Sequence, residues 1–312
     1  MLSRIHITNF RCFPHVDVEL RPLTVLVGPN DSGKSAFLAS IKQLVELNQN
    51  FGPTDFWRTD HQLRIEIMGW DEVGKIFVAS DGHSERHHEN LRPCTVFQLP
   101  AHGIPMESGG QDDSLGPPQL TEQGGNVPTF FDYALRRDRK RFFEIVDALR
   151  GSIPGLQDID VKTPGGGNRR VDVRVEGDLS FPPDRQSVGV RLMIFFVALA
   201  FHPTPPKLIL VEEPENGVHP KRLADIVKLL RGITKGEHAD HRAQVILTTH
   251  SPYLLDHVDL NTDQVLVFRR KDDGSRTAEA ADRERLKNFL DEFMLGEVWY
   301  NEGEAGLVRQ PS

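Results

Sequence analysis

Apolar residues alternate with polar ones at the start of the chain (Ile5, Ile7, Phe10), the period of a strand with one buried face. Leu23–Val27 is apolar apart from one threonine and predicts a short buried strand. The following stretch carries apolar residues at 37, 38, 41, 44 and 45, the spacing of a helix with one buried stripe. Residues 61–68 and 75–79 (Leu63, Ile65, Ile67; Ile76, Val78) alternate like strands of an antiparallel layer. Residues 102–128 are rich in Gly, Pro, Ser, Asp and Gln and poor in large apolar side chains, which predicts a long surface loop. A single helix is predicted over 129–150, stopped by Ile153-Pro154-Gly155. Strand-like runs at 157–162 and 170–176 (Val171, Val173, Val175), joined by a stretch containing Gly165, Gly166 and Gly167, predict a hairpin.

From residue 185 to 257 the pattern changes to alternating helices and strands. Helices are predicted over 188–201 and 220–231, and strands over 207–211 and 244–248. A further strand is predicted at 264–269, then a charged helix from 282 to about 295 with Leu286, Phe289, Leu290 and Phe293 on one face. There is no sustained heptad pattern, so long coiled-coil arms are not expected.

Composition narrows the class. At 312 residues, with 26% charged and 38% hydrophobic, the chain can bury a large core as a soluble globular protein. Its longest apolar run, 192–201, is too short to cross a bilayer. The chain opens directly into a strand pattern with no secretory leader, so a cytoplasmic location is expected and no membrane contact. Cys12 and Cys94 match no disulfide framework or metal spacing and read as reduced packing thiols. His83, His87 and His88 cluster in a polar turn, without the paired carboxylates or cysteines that a metal site needs.

A net charge of −8 argues against a nucleic-acid surface covering the whole molecule. A local basic run remains: Arg136, Arg137, Arg139, Lys140 and Arg141. It reads either as a solvated helix face or as a contact for a phosphate backbone or an acidic partner.

Residues 28–35, Gly-Pro-Asn-Asp-Ser-Gly-Lys-Ser, fit the phosphate-binding pattern G-x-x-x-x-G-K-[ST] between a predicted strand and a predicted helix. The glycines let backbone N–H groups converge on phosphates, and the helix start adds the positive end of its dipole. Lys34 would reach the β and γ phosphates and the Ser35 hydroxyl would sit on Mg²⁺. A nucleoside triphosphate is therefore the expected ligand.

The apolar run 208–211 ends in Glu212 and Glu213. A phosphate-loop fold needs an acid at such a strand end to hold Mg²⁺, the role expected of Glu212. Glu213 would face the γ-phosphate and orient the attacking water as general base. His250, after the buried strand 244–248, falls on the sheet edge where open α/β sheets bind ligands, and could bond the γ-phosphate or the water.

With these motifs the chain resembles the ABC-type ATPase heads of the RecF, SMC and OLD group, often called AAA-family ATPases. The stretches 1–45 and 185–257 carry the resemblance, including Phe10-Arg11, "EEPENGVHP" and "TTHSPYLLD". It implies an α/β fold of the P-loop NTPase class: one ABC-type ATPase domain over 1–312, with an antiparallel β layer and a helical and loop insertion. The middle region would span 52–180, and a C-terminal strand and helix extension 258–312. The resemblance implies that Asn30, Asp31, Ser32, Gly33, Lys34, Ser35 and Ala36 hold the phosphates of ATP. It brings Arg11 toward the phosphates or ribose, and offers Gln98 as the glutamine that senses Mg²⁺ and water. Glu212 stands where an aspartate is commonest, 216–219 resembles the loop at the dimer contact, and His250 the switch histidine.

Ser187 and Gly189 fit the family's signature motif before a helix, although the second glycine of the transporter version is absent. By the same resemblance ATP would be sandwiched in a homodimer, the signature of one subunit completing the site of the other. OLD nucleases add a TOPRIM domain after the ATPase. Only about sixty residues follow His250, so no such domain, and no nuclease activity of the chain itself, is expected. The leading expectation is an ATP hydrolase acting as a nucleotide-gated dimeric switch on DNA or a separate effector protein. The alternative is an ATP-binding sensor or scaffold that dimerises with negligible turnover.

Overall fold

The computed structural model describes residues 1–312 except 49, 60–63, 72–73, 82–83, 87–90, 110–115, 178, 291 and 310–312. His83, His87, His88 and Leu63 thus lie outside the described residues. The chain forms two compact units, one from Met1–Val96, Lys207–Glu213 and Ala243–Ser312, the other from Phe97–Pro206 and Pro214–Arg242.

The first unit is built on two sheets. One has strands in the order Phe13–Glu19, Arg4–Phe10, Glu66–Trp70, Lys75–Ala79 and Ser84–Arg86, with every neighbour antiparallel. This is the antiparallel layer that the period-two pattern predicts; Ile5, Ile7, Ile67, Ile76 and Val78 all turn to the core. The second sheet has the order Arg276–Ala280, Gln264–Arg270, Leu23–Val27, Gln244–Thr249, Leu208–Glu212 and Cys94–Gln98. Leu23–Val27 pairs in parallel with both of its neighbours and is buried along its whole length. Continuous apolar runs suit strands that are covered on both faces.

The helix Lys34–Glu46 buries Phe37, Leu38, Ile41, Leu44 and Val45, the predicted stripe. These side chains share one apolar cluster with residues of both sheets, among them Ile5, Ile67, Leu210 and Ile246. Phe268 anchors the cluster with edge-on contacts to Phe37 and Phe13, at ring separations of 5.4 and 6.2 Å.

In the second unit, strand Arg169–Val175 pairs antiparallel with Leu156–Lys162, Leu179–Phe181 and Glu107–Ser108. The hairpin predicted around the Gly165–Gly167 turn is present. Helices Val127–Arg137, Arg139–Ser152, Val188–Ala200 and Leu223–Lys235 complete the unit. From Leu192 to Ala200 every residue of the third helix is buried, so its sequence is apolar on all sides. Among the described residues no helix is long and apolar enough to cross a membrane.

Three expectations change. The helix predicted over 129–150 is two helices, because Asp138 leaves helical geometry and its carboxylate caps the second helix at Arg141 N. The stretch 102–128 is only partly surface: Ile104, Met106 and Leu120 are buried and Glu107–Ser108 is a strand. The C-terminal helix over 282–295 is shorter, Arg283–Leu290, and is followed by Leu295–Glu302. An unanticipated strand, Arg276–Ala280, precedes it and pairs along Gln264–Arg270. Arg-Thr-Ala-Glu-Ala has little intrinsic strand preference, and the cross-strand pairing overrides it.

Candidate nucleotide site

Three adjacent parallel strands bring the site together. In their register Glu212 lies beside Thr248, Thr248 beside Leu26, and Thr249 beside Val27. The loop 28–33, Glu213 and His250 therefore all leave the sheet at one carboxyl edge, where open α/β sheets bind ligands. There they line a cleft of about 380 Å³ with Cys12, Asn30, Asp31, Ser32, Gly33, Lys34, Ser35, Ala36, Glu213, Thr248 and His250.

The loop owes its shape to two glycines. Gly28 has φ 146°, and a Cβ on it would stand 2.4 Å from the Phe268 carbonyl oxygen. Gly33 has φ 103°, and a Cβ there would meet the Phe13 ring at 2.8 Å. Both positions combine a backbone conformation closed to most residues with no room for a side chain. Helix Lys34–Glu46 starts at Gly33 with no side-chain cap and no acidic residue in its first turn. Its leading N–H groups and positive dipole end thus face the cleft with no acidic side chain of the helix's own first turn against them, the arrangement that favours phosphate. Lys34 is buried, its ammonium donating to the Gly28 and Pro29 carbonyls at 2.8 and 2.9 Å.

Glu213 is held against His250, with Glu213 Oε1 3.1 Å from His250 Nε2. The Glu213 backbone has φ 45°, a costly conformation for a non-glycine residue. Its N–H fixes it there by donating to both the carbonyl and the hydroxyl of buried Thr248, at 3.2 and 3.1 Å. Burial pushes the His250 pKa below the ordinary histidine range and the Lys34 charge adds to this, while Glu213 opposes both. A neutral imidazole with its proton on Nε2 donates to the carboxylate and aims it.

Glu212 ends its strand one residue before Glu213 and is not part of the cleft lining. Arg11 also lies outside that lining. Its backbone N and Nε donate to the Asp55 carbonyl and carboxylate at 2.7 and 2.8 Å. It borders a second cleft of about 590 Å³ with Trp57, Arg58 and Arg276, and Cys12 belongs to both clefts. Burial raises the Cys12 thiol to about 11, which keeps it protonated at neutral pH.

The remaining candidates belong to the second unit. Ser187 caps the helix Val188–Ala200, its hydroxyl accepting from Val190 N at 3.3 Å. Gly189 lies close to backbone, since a Cβ on it would stand 3.1 Å from the Gly217 carbonyl oxygen. Gln98 is exposed at the end of its strand. The basic run is largely committed to its own unit. Arg136 pairs with Asp132 at 2.6 Å and Lys140 with Glu144 at 3.7 Å. Arg141 donates to Asp138 and to the Phe201 and His238 carbonyls.

Two residues carry roles that the sequence reading missed. Arg276 contacts the phosphate loop through Asp31, and Thr248 holds the Glu213 backbone. Thr248 lies within the recognised TTHSP stretch and could have been singled out there. Arg276 sits in an unremarkable charged segment and gives no signal.

Comparison with known proteins agrees with this geometry. The family profile described as "AAA domain, putative AbiEii toxin, Type IV TA system" matches residues 58–256, well over half of the chain. The chain belongs to this AAA family. A second profile, "AAA ATPase domain", matches residues 1–101 of this AAA protein. The OLD nuclease of Thermus scotoductus is 25% identical over 359 residues, an alignment covering 93% of this chain. The AAA chain spans 66% of that relative's length.

Among solved structures, the SMC head bound to the C-terminal winged-helix domain of ScpA superposes with a TM-score of 0.57 at 12% identity. That match covers 92% of this chain and 99% of the other. The SMC head of Thermotoga maritima gives 0.51 at 15%, covering 90% and 99%. An SMC head with an extended coiled coil, bound to a ScpA domain derived from Pyrococcus furiosus, gives 0.56 at 12%, covering 93% and 98%. The expected P-loop α/β fold, and the resemblance to ABC-type AAA ATPases of the SMC and OLD group, are thus borne out.

Proposed function

We propose that this chain binds ATP in the cleft of residues 28–36 and hydrolyses it to ADP and phosphate. The observation that carries the reading is the 3.1 Å pairing of Glu213 and His250 at a cleft lined by a phosphate-binding loop. A pure binder of nucleotide needs the loop but not an oriented carboxylate. In this reading the N–H groups of 33–36 and Lys34 hold the phosphates. Glu213 takes the proton of the attacking water, and neutral His250 orients that carboxylate.

The donor set also suits Mg²⁺, which keeps most of its waters and takes one or two protein oxygens plus phosphate. Ser35 Oγ, in the cleft lining, would hold it directly. Glu212, which ends its strand outside that lining, would act through water, and Gln98 is a further candidate through water. When bound, the ion would neutralise charge on the β and γ phosphates. Asn30, Asp31 and Ser32 shape the loop, and Arg11 is the candidate for the ribose side.

We further propose that ATP closes a homodimer in which Ser187 and Gly189 of one subunit face the nucleotide of the other. Ser187 and Gly189 stand at the positive dipole end of the helix Val188–Ala200, which supports this. The Ser187 hydroxyl, which accepts from Val190 N in the single chain, would turn from that cap toward the phosphate. DNA or a separate effector protein is the proposed target; the nuclease named among the relatives favours a nucleic-acid output. Sizing Glu213→Gln with and without ATP, together with steady-state phosphate release by the wild type, tests the whole reading. An ATP-dependent dimer and measurable turnover are expected. Dimerisation with negligible phosphate release by the wild type would favour the sensor alternative, and a lack of ATP binding would refute both.

A further inference from the structure

Asp31 is an awkward residue for a phosphate loop. Backbone N–H groups and Lys34 gather there to attract negative charge, and Asp31 adds a carboxylate to the lining of the same cleft. Its side chain is 81% exposed and its φ is 60°, a left-handed turn that aspartate tolerates better than most residues.

Arg276 answers both features. One of its terminal nitrogens donates to Asp31 Oδ2 at 2.7 Å and its Nε to the Asp31 carbonyl at 2.8 Å. The other terminal nitrogen donates to the Gly274 carbonyl, and the Arg276 backbone N to the Cys12 carbonyl at 3.0 Å. With its side chain only 10% exposed, the guanidinium is held as a fixed fork. Its strand pairs along Gln264–Arg270, the strand whose Phe268 carbonyl closes against Gly28. One hairpin therefore braces the phosphate loop at Gly28 and again at Asp31.

We propose that Arg276 is a positioning residue that neutralises Asp31 and fixes its turn, so that the loop accepts a polyphosphate. Its contribution goes to nucleotide affinity and not to the rate of phosphoryl transfer. The proposal rests on reading the cleft as a nucleotide site. Without Arg276 the Asp31 carboxylate repels the incoming phosphates; removing the charge of Asp31 as well removes that repulsion. The two substitutions are therefore coupled, with the second relieving the first.

The test is equilibrium binding of a fluorescent ATP analogue, with phosphate release and thermal unfolding, for the full-length wild type, Arg276→Gln, Asp31→Asn and the double variant. Arg276→Gln should weaken binding at low salt by about tenfold, equivalent to about 1.4 kcal/mol. Its kcat at saturating ATP should stay within about twofold of wild type, since only ground-state binding is lost. The double variant should return to within about threefold of wild-type affinity. Wild-type affinity in Arg276→Gln overturns the proposal. So does a folded double variant that binds as weakly as Arg276→Gln, since a direct phosphate ligand or a purely architectural arginine is not rescued by changing Asp31. If Arg276→Gln does not fold, Arg276→Lys with and without Asp31→Asn poses the same question through loss of the fork. A wild type that binds no ATP rejects the nucleotide reading itself, and this proposal with it.

Discussion

His250 Nε2 lies 3.1 Å from Glu213 Oε1, and the two residues follow directly on adjacent parallel strands. Neither can move far without disturbing the sheet, so the carboxylate is aimed before any ligand arrives. Preorganised groups of this kind avoid reorganisation during the reaction.

Glu213→Gln keeps a hydrogen-bond acceptor for His250 but removes the proposed base. Phosphate release should fall by about a hundredfold or more, while ATP affinity stays within about threefold. His250→Ala removes the contact to Glu213 and leaves the proposed base, so a smaller loss is expected. Single-turnover kinetics beside equilibrium binding separate the two effects.

His202 gives the second unit an acid-sensitive point. It is buried, stacked on Phe130 at 5.0 Å, with Nε2 3.1 Å from the Pro118 carbonyl and Nδ1 accepting from Thr204 N. Both bonds suit a neutral ring protonated on Nε2. Burial lowers its pKa to about 4 from the ordinary 6.5. The folded state thus disfavours the proton that the unfolded chain accepts. The stability that this contributes is fully present above about pH 6.5 and is lost as pH falls toward 4, on the order of 3 kcal/mol in all. Thermal unfolding across that range should show the loss, and His202→Gln should flatten the acid limb.

Gly28→Ala places a Cβ 2.4 Å from a backbone oxygen, at φ 146°. Backbone of a paired strand cannot swing aside as a side chain would. A loss of about 2–4 kcal/mol is expected in denaturant unfolding, with ATP binding impaired in whatever remains folded.

Within the basic run the structure separates residues that composition treats alike. Arg141 satisfies the Phe201 and His238 carbonyls, whereas the Lys140 side chain is 89% exposed. Arg141→Ala should cost about 1–2 kcal/mol of stability, because it leaves the partly buried Phe201 carbonyl without this donor. Lys140→Ala should change stability by less than about 0.5 kcal/mol. Chemical denaturation of the two variants checks this directly.

Much of the first unit was legible in the chain itself. The alternation of Ile5, Ile7 and Phe10 and the stripe from Phe37 to Val45 each bury one face, the continuous run 23–27 is buried on both, and hydrophobic pattern reports burial directly. The loop 28–35 was legible for a stronger reason: few other reasons place two glycines and a lysine at that spacing between a strand and a helix. Glu213 and His250 followed from their positions at the ends of apolar strands. The break at Asp138 was not legible, because the apolar stripe continues through it and period does not report a change of helix axis. The strand Arg276–Ala280 was missed because its preference is set by its partner strand and not by its own residues.

Local pattern thus determined the strands and helices whose apolar residues mark a buried face, and marked the loop that fits a phosphate-binding pattern. Tertiary structure alone decided that Arg276, 245 residues along the chain from Asp31, braces that loop, and that Thr248 holds Glu213 in a left-handed turn. The physical reason is range: a hydrophobic period and a glycine pattern are written over a few consecutive residues. A salt bridge or a shared hydrogen bond depends on where distant strands come to lie, and nothing in the spacing of the chain records that.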